Sequence, residues 1–326
     1  MGTILIGTCG YSYNEWIGPV YPEGSKREDF LSLYAARFRT VELDYTYYQM
    51  PKAEQLRRMA EEGPGLSFAI KAHQSLTHKI DSAKWRDEAK TYIGAIQPLL
   101  DLGRLEAVLF QFPYAFHYEA ENRRYLDRIL GEFPGIQTAV EFRNADWLNN
   151  RVIDGLKERG AALAGLDMPE LKGLPPKMDV VTAPLAYFRL HGRNKETWWG
   201  SDSAARYDYL YSDQELEATA ERIKQIIIKA DRIIIYFNNH RRGQAVKNAT
   251  QLEKILEKAG LFGQGGEKSE KELTQRHGAT EDTEEEKELS QSRRAAENAE
   301  EEKELSQSRG DAESQAHPTS FSSSQK

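Results

Sequence analysis

Apolar and polar positions alternate in short runs along the first 240 residues, and most runs break into charge at their C-terminal end. The runs are ILIGTCGY (4–11), VELD (41–44), FAIKAH (68–73), VLFQFP (108–113), AVEFRN (139–144), AGLDMP (164–169), YFRLHGR (187–193) and IIIYFNNH (233–240), eight in all. Between most of them lies a segment of helical periodicity, such as REDFLSLYAARF (27–38) or DQELEATAERIKQIIIKA (213–230). Strictly alternating strand and helix force parallel strands. Eight such units in roughly 250 residues predict an α/β fold of the (β/α)8 TIM-barrel type. An open doubly wound sheet is the alternative, and the absence of a spaced glycine fingerprint after any run, GTCGYS included, argues against its dinucleotide-binding form.

Successive strand side chains face opposite ways, so Val41 and Leu43 share one face while Glu42 and Asp44 share the other. The same split separates Ile70 and Ala72 from Lys71 and His73, and Val140 and Phe142 from Glu141 and Arg143. It also separates Phe188 and Leu190 from Arg189, His191 and Arg193. In a barrel wrapped by helices the apolar set packs outward, which places the charges in the lumen and at its upper mouth. Burying charge costs several kcal/mol unless it is paired, so such a lumen implies either a functional site or a structural ion-pair network.

Composition divides the chain at about residue 260. Residues 261–326 hold 16 acidic and 9 basic side chains, so the totals of 51 and 44 leave 35 of each in residues 1–260. A neutral body argues against a general nucleic-acid binder, although not against a local basic pocket. No apolar stretch reaches the 18 or so residues that span a bilayer, and MGTILIGTCGYS reads as a strand and not as a leader. The single cysteine, Cys9, excludes an internal disulfide framework, and a cytoplasmic protein is expected. In the acidic segment EKEL recurs at 270–273, 286–289 and 302–305, and EEEKELSQSR repeats with a period of 16. One leucine per repeat is too few for a coiled-coil seam, so a disordered or partly helical charged tail is expected, its partner unknown.

The ordered blocks IGTCGYSYNEWIG, VELDYTYY, FAIKAHQSLTH, LFQFP, EFRNADW, YFRLHGRN, YLYS and FNNHRRGQAVKNA resemble the YecE-like family, a domain of unknown function numbered 72, over roughly residues 3–258. The resemblance implies a TIM-type barrel and brings no established reaction. Two positions depart from the family pattern: Tyr11 stands where it has Trp, and Asp44 where Asn is frequent.

Several side chains carry candidate chemistry. Glu42, Glu141 and Asp167 end or nearly end strands two, five and six and are expected as acid/base groups if their environments separate their pKa values. Lys71 and His191 join them as catalytic candidates; Lys71 is read either as a Schiff-base lysine or, more simply, as a partner of Glu42 or Glu141. Arg143, Arg189 and Arg193 offer guanidinium forks for a small anionic ligand. Asp44, Tyr48, His73, Gln111, Trp198, Asn238 and Asn239 complete the expected substrate contacts. The contrary reading is that the cations only neutralise the acids. His73, His191 and His240 at three strand ends suggest either a divalent metal site or ordinary hydrogen-bonded histidines. Cys9 is read as a nucleophile or as a small strand-end residue. The segment 192–212 carries Trp198, Trp199, Tyr207, Tyr209 and Tyr211 and is expected as a lid or as an apolar plug, with Trp16 and Trp147 completing an aromatic collar. The turn around Gly243 is a candidate phosphate cradle, with Asn248 either part of it or a brace.

The function that follows is a hydrolase, lyase or isomerase acting on an anionic sugar-like or nucleotide-like molecule. A non-catalytic ligand-binding or nucleic-acid-associated protein is the other class.

Overall fold

A computed structural model describes residues 2–199 and 203–262, so the expected tail lies outside the described residues from Gly263 onward. Strand and helix alternate along it. The strands are β1 (Thr3–Thr8), β2 (Thr40–Leu43), β3 (Ser67–Lys71), β4 (Leu105–Phe112), β5 (Thr138–Phe142), β6 (Ala162–Leu163), β7 (Gly165–Asp167), β8 (Leu185–Leu190) and β9 (Arg232–Phe237). The helices are α1 (Phe30–Ala35), α2 (Tyr45–Tyr48), α3 (Ala53–Glu62), α4 (Trp85–Asp101), α5 (Ala120–Gly131), α6 (Asn150–Glu158), α7 (Ser203–Arg206), α8 (Asp213–Ile226) and α9 (Gln244–Lys258). The helical pattern at 213–230 is realised to Ile226, opened by a capping box between Ser212 and Glu215. The pattern at 27–38 contracts to a 3-10 turn followed by the short α1.

The strands form two sheets, β1-β9-β8-β7 and β2-β3-β4-β5-β6. Every pairing is parallel. The sheets adjoin at two places. Cys9 makes a parallel bridge to Glu42, and the Gly10 N–H donates to the Glu42 carbonyl at 2.8 Å. At the other end β6 and β7 follow one another across Ala164, whose N–H donates to the Val140 carbonyl at 2.9 Å. The sixth apolar run thus holds only β7, and the two-residue β6 lies just ahead of it, so nine strands stand among the described residues where eight runs were read.

Alternation sorts the buried side chains into two clusters. Val41, Ile70, Val140, Phe188 and Ile235 join Leu56, Ile96, Leu126, Ile223 and Leu252 of the helices. Ala69, Leu109, Ala139, Tyr187, Ile234 and Tyr236 form a second cluster that contains no helical residue. Neighbouring residues of one strand therefore feed opposite layers, as a doubly covered parallel strand requires. The register places Glu42 beside Ala69, Lys71 beside Leu109, Glu141 beside Gln111 and Arg189 beside Tyr236, so the strand charges share this second, inner face.

Asp167 and Arg193 depart from the expected charged lumen. Asp167 pairs in register with Leu190, a member of the helix-side cluster, while Leu166 pairs with Arg189 and fills the inner face. The AGLDMP run carries its charge one residue out of phase with the others. After β8 the chain turns at Gly192 (φ 90°), which ends the alternation that would have kept Arg193 in line with Arg189 and His191. Arg193 instead grips Asp167 with Nε to Oδ1 and Nη2 to Oδ2, both 2.7 Å, and reaches Glu215 Oε1 at 2.6 Å. Lys177 and Tyr211 also contact Asp167. This group ties the end of β7 to the start of α8, away from the inner face.

Candidate functional site

Arg189 projects from β8 between two carboxylates. Its Nη2 donates to Glu42 Oε1 and its Nη1 to Glu141 Oε2, each at 2.7 Å. Tyr187, two residues earlier on the same face, donates its hydroxyl to Glu42 Oε2 at 2.6 Å. Arg143 Nε stands 2.7 Å from Glu141 Oε1. That contact is close but misaligned, since neither atom forms a hydrogen bond. All these side chains are buried: Glu42 and Glu141 are 0% exposed, Arg189 3% and Arg143 9%. Neutralisation of the acids by the cations, the structural alternative, is thus realised at Arg189.

It is not complete. Glu141 Oε1, Arg189 Nε and His191 Nε2 are buried without a hydrogen-bond partner among the described residues. His191 Nδ1 sits 3.0 Å from the Asn238 side-chain nitrogen, which donates to it, so Nε2 carries the ring hydrogen and lies 3.4 Å from Glu141 Oε1. Burial foremost, then the positive charge of Arg143, pushes the His191 pKa down to about 3, so the imidazole is neutral. Burial alone would raise the Glu141 pKa, but Arg189, Arg143 and His191 outweigh it and hold the carboxyl well below its usual range. Cys9 Sγ accepts from Arg189 Nη2 at 3.6 Å. Burial, then the Glu42 charge, pushes its thiol well above its ordinary pKa, which makes it a poor nucleophile.

Lys71, at the end of β3, holds its ammonium 4.0 Å from the centre of the Tyr47 ring, a residue that sequence reasoning passed over. Tyr48 packs edge-on against Tyr47 at 4.8 Å, as does His78 at 4.7 Å. Gln111 lies on the inner face beside Glu141 and spends its amide on the Phe112 carbonyl at 3.0 Å. Asp44 is half-buried at the start of α2, close enough to Cys9 for its charge to act on the thiol. His73 turns away: its Nδ1 takes the Ser75 hydroxyl and backbone N–H, capping the turn after β3.

The rim is aromatic. Trp198 is 2% exposed and packs in the inner cluster with Met168, Leu174 and Tyr187. Arg143 and Arg206 both approach its ring, with guanidinium carbons 5.6 and 5.7 Å from the centroid. Arg206, on α7, had no sequence signal beyond membership of the aromatic segment. Trp199 meets Tyr114 at 5.6 Å, and Tyr207 lies between His191 and His240 at 6.2 and 5.8 Å. Trp16 and Trp147 are buried in the helix-side cluster and form no collar.

Asn239 does not reach the inner group. Its amide donates to the Tyr209 carbonyl and to Asn248 Oδ1, and Asn248 in turn holds the Tyr211 backbone, so both brace the segment against α9. Around Gly243 the cations are engaged by acids, Arg241 with Glu15 and Arg242 with Asp208. The three strand-end histidines also separate: His73 caps a turn, His240 stacks on Tyr13 at 4.6 Å, and His191 faces Arg143 and Glu141. Among the described residues no three His, Cys, Asp or Glu side chains are grouped to hold a metal ion, and guanidinium groups occupy the carboxylate oxygens that would serve as ligands. A divalent metal does not fit this donor set.

Fold and site together define an α/β protein of parallel sheets with a buried ionic constellation at the C-terminal ends of its strands. The profile of the family described as "Protein of unknown function DUF72" matches residues 5–272, and the chain belongs to that family. It is 35% identical to a DUF72 family protein from Thermotoga maritima, whose crystal structure superposes with a TM-score of 0.73 over 78% of this chain and 99% of that one. A DUF72 family protein from Enterococcus faecalis is 26% identical, with a TM-score of 0.70 over 78% of this chain and 96% of that one. The UPF0759 protein YunF of Bacillus subtilis is 27% identical over 270 residues, covering 78% of this chain and 95% of that protein. No helix among the described residues is long and apolar enough to cross a membrane.

Proposed function

We propose that the two sheets close into a barrel through the Cys9–Glu42 and Ala164 junctions, and that the protein is a cytoplasmic enzyme acting at the C-terminal mouth. Its substrate is a small anionic compound of the sugar-like or nucleotide-like class, and its reaction a hydrolysis, elimination or isomerisation. One observation carries the reading: three buried polar atoms, Glu141 Oε1, Arg189 Nε and His191 Nε2, lack hydrogen bonds in one neighbourhood. A buried polar atom left unmatched costs about 1–3 kcal/mol, and a hydroxyl-bearing anion offers the carboxylate oxygen a donor and the two N–H groups acceptors.

In this reading the roles are divided as follows. Glu141, held ionised at neutral pH, accepts from a substrate hydroxyl. Neutral His191 donates from Nε2, as an oxyanion stabiliser does. Arg143 and Arg189 take the anionic group. Lys71 is left as the group to move a proton, its stem lying on the inner face and its ammonium against Tyr47. Glu42, bonded by both Tyr187 and Arg189, positions Arg189.

The same electrostatics favour a second reading, a non-catalytic ligand-binding protein. His191 and Glu141 each keep one protonation state through neutral pH, which suits recognition better than proton cycling. A thermal-shift screen of phosphorylated and carboxylated sugars and nucleotides, run on the unmodified protein, Glu141→Gln and Arg143→Gln, tests both. A stabilising compound whose effect disappears in the variants supports the site, and one indifferent to both removes it. Turnover of that compound, followed by NMR, then separates the enzyme from the binding protein. Strongly salt-dependent oligonucleotide binding without turnover would instead favour nucleic-acid association.

A further inference from the structure

A cavity of about 370 Å³ lies on the outer layer, between α5 and α6, remote from the inner-face constellation. Helices that cover adjacent parallel strands ordinarily pack against each other, so an unfilled space of ligand size between them is notable. Its floor is apolar and already dry: Leu126, Leu130, Val152 and Leu156 are at most 7% exposed, and Trp147 is 1% exposed. Its rim is cationic, with Arg123, Arg124, Arg151 and Arg159 against the single carboxylate of Asp127.

Two of the four guanidiniums are held in place by the protein itself. Arg123 stacks on the Tyr118 ring with its guanidinium carbon 4.9 Å from the centroid, donates to the Tyr118 hydroxyl at 3.4 Å, and has a buried Nε without a partner among the described residues. Arg159 donates to the Gly155 carbonyl at 2.8 Å and contacts Asp127. Arg124 and Arg151 form no ion pair among the described residues. Arg159 also pairs with Glu158 at 3.9 Å, so the rim keeps an excess of positive charge at Arg123, Arg124 and Arg151, directly above hydrocarbon. Gly155 lines the wall, and a Cβ built there meets only Arg159 Nη1, at 3.7 Å. The space is therefore open where a helix would ordinarily carry a side chain.

We propose that this cavity is a second binding site, for a small amphipathic anion: an aromatic or short alkyl body bearing a phosphate or carboxylate. The body replaces water over the Leu126–Leu156 floor, and the anionic head is taken by Arg123 and Arg151, the guanidinium fork being suited to either oxyanion. Apolar floor and cationic rim are both needed, which separates this ligand from inorganic phosphate and from a neutral hydrocarbon.

The test is calorimetric titration of the full chain with 1-naphthyl phosphate, with naphthalene methanol and inorganic phosphate as comparison ligands. One-to-one binding that is at least tenfold tighter than either comparison ligand is expected. Arg123→Gln combined with Arg151→Gln should weaken it about tenfold or more. Gly155→Leu should abolish it by filling the cavity while leaving the melting temperature unchanged or higher, because leucine favours a helix interior over glycine. Arg143→Gln on the inner face should leave it unaltered, which distinguishes this site from the one proposed above. Absence of binding to the full chain, equal binding of inorganic phosphate, or binding indifferent to Gly155→Leu would each overturn the proposal.

Discussion

Arg189 is hydrogen-bonded to one glutamate from each terminal nitrogen. Replacing it with leucine takes the guanidinium from Glu42 and leaves Glu141 only its misaligned contact with Arg143 in a dry environment, and a loss of roughly 3–5 kcal/mol is expected in a urea titration. Adding Glu42→Gln and Glu141→Gln to the same chain should recover most of it, because the stranded charges are then gone. His191 makes a pH prediction. Its folded pKa of about 3 lies below the unfolded value near 6.5, so between those limits the unfolded chain binds the extra proton. Stability should therefore fall as pH drops from about 6.5, by up to about 1.4 kcal/mol per pH unit. Glu141 adds to the fall only below its unfolded value of about 4.3, as pH drops toward its depressed folded value. In pH-dependent denaturant melts, His191→Gln should be flatter than the unmodified protein between pH 6.5 and 5, and an unchanged slope would contradict the buried neutral imidazole.

At the scale of elements, the junction of β1 with β2 rests on the absence of a side chain. A Cβ at Gly7 would sit 2.2 Å from the Thr40 carbonyl oxygen, so Gly7→Ala must push the two strands apart and is expected to cost about 1–3 kcal/mol. Gly94, inside α4 with nothing within 4 Å of its Cβ position, is the control: alanine there should stabilise by about 0.5–1 kcal/mol in the same melt. Runs two, three, five and seven were legible because valine, isoleucine or phenylalanine alternates with charge in each, and the period of two admits one face assignment. The sixth was not. Its strand is only three residues long and follows another, Ala162–Leu163, that the run does not include, and its one charge finds Arg193 and Lys177 on the helix side, partners supplied by distant segments that periodicity cannot see. Arg143, Arg189, Lys71 and Glu141 were legible because each keeps the phase of its strand, as Asp167 does not, whereas Tyr47 and Arg206 lie on the four-residue helices α2 and α7, whose path no alternation dictates. Asn248 was read as a brace or a loop ligand, and its four hydrogen bonds to Tyr211, Asn239 and Gln251 make it the former. Asn248→Ala should cost roughly 1–3 kcal/mol by leaving buried backbone groups of Tyr211 unmatched.

For the whole molecule, the described elements form a charge-balanced body in which α9 closes the sequence of packed helices at Lys258. A chain ending at Phe262 is expected to melt within about 2 °C of the full one, since the repeats beyond it offer one leucine in 16 residues to any core. Differential scanning calorimetry of the two chains checks this. The inner face is also lopsided. Glu42, Glu141 and Arg189 come from β2, β5 and β8, while Leu166, Met168, Leu174 and Trp198 present hydrocarbon from the segments beside β7 and β8. Any guest seated between an ionic wall and an oily one meets an acceptor, two donors and a greasy surface in a fixed sense of rotation. Such an arrangement tells left from right, so a compound and its mirror image should be bound with very different strength.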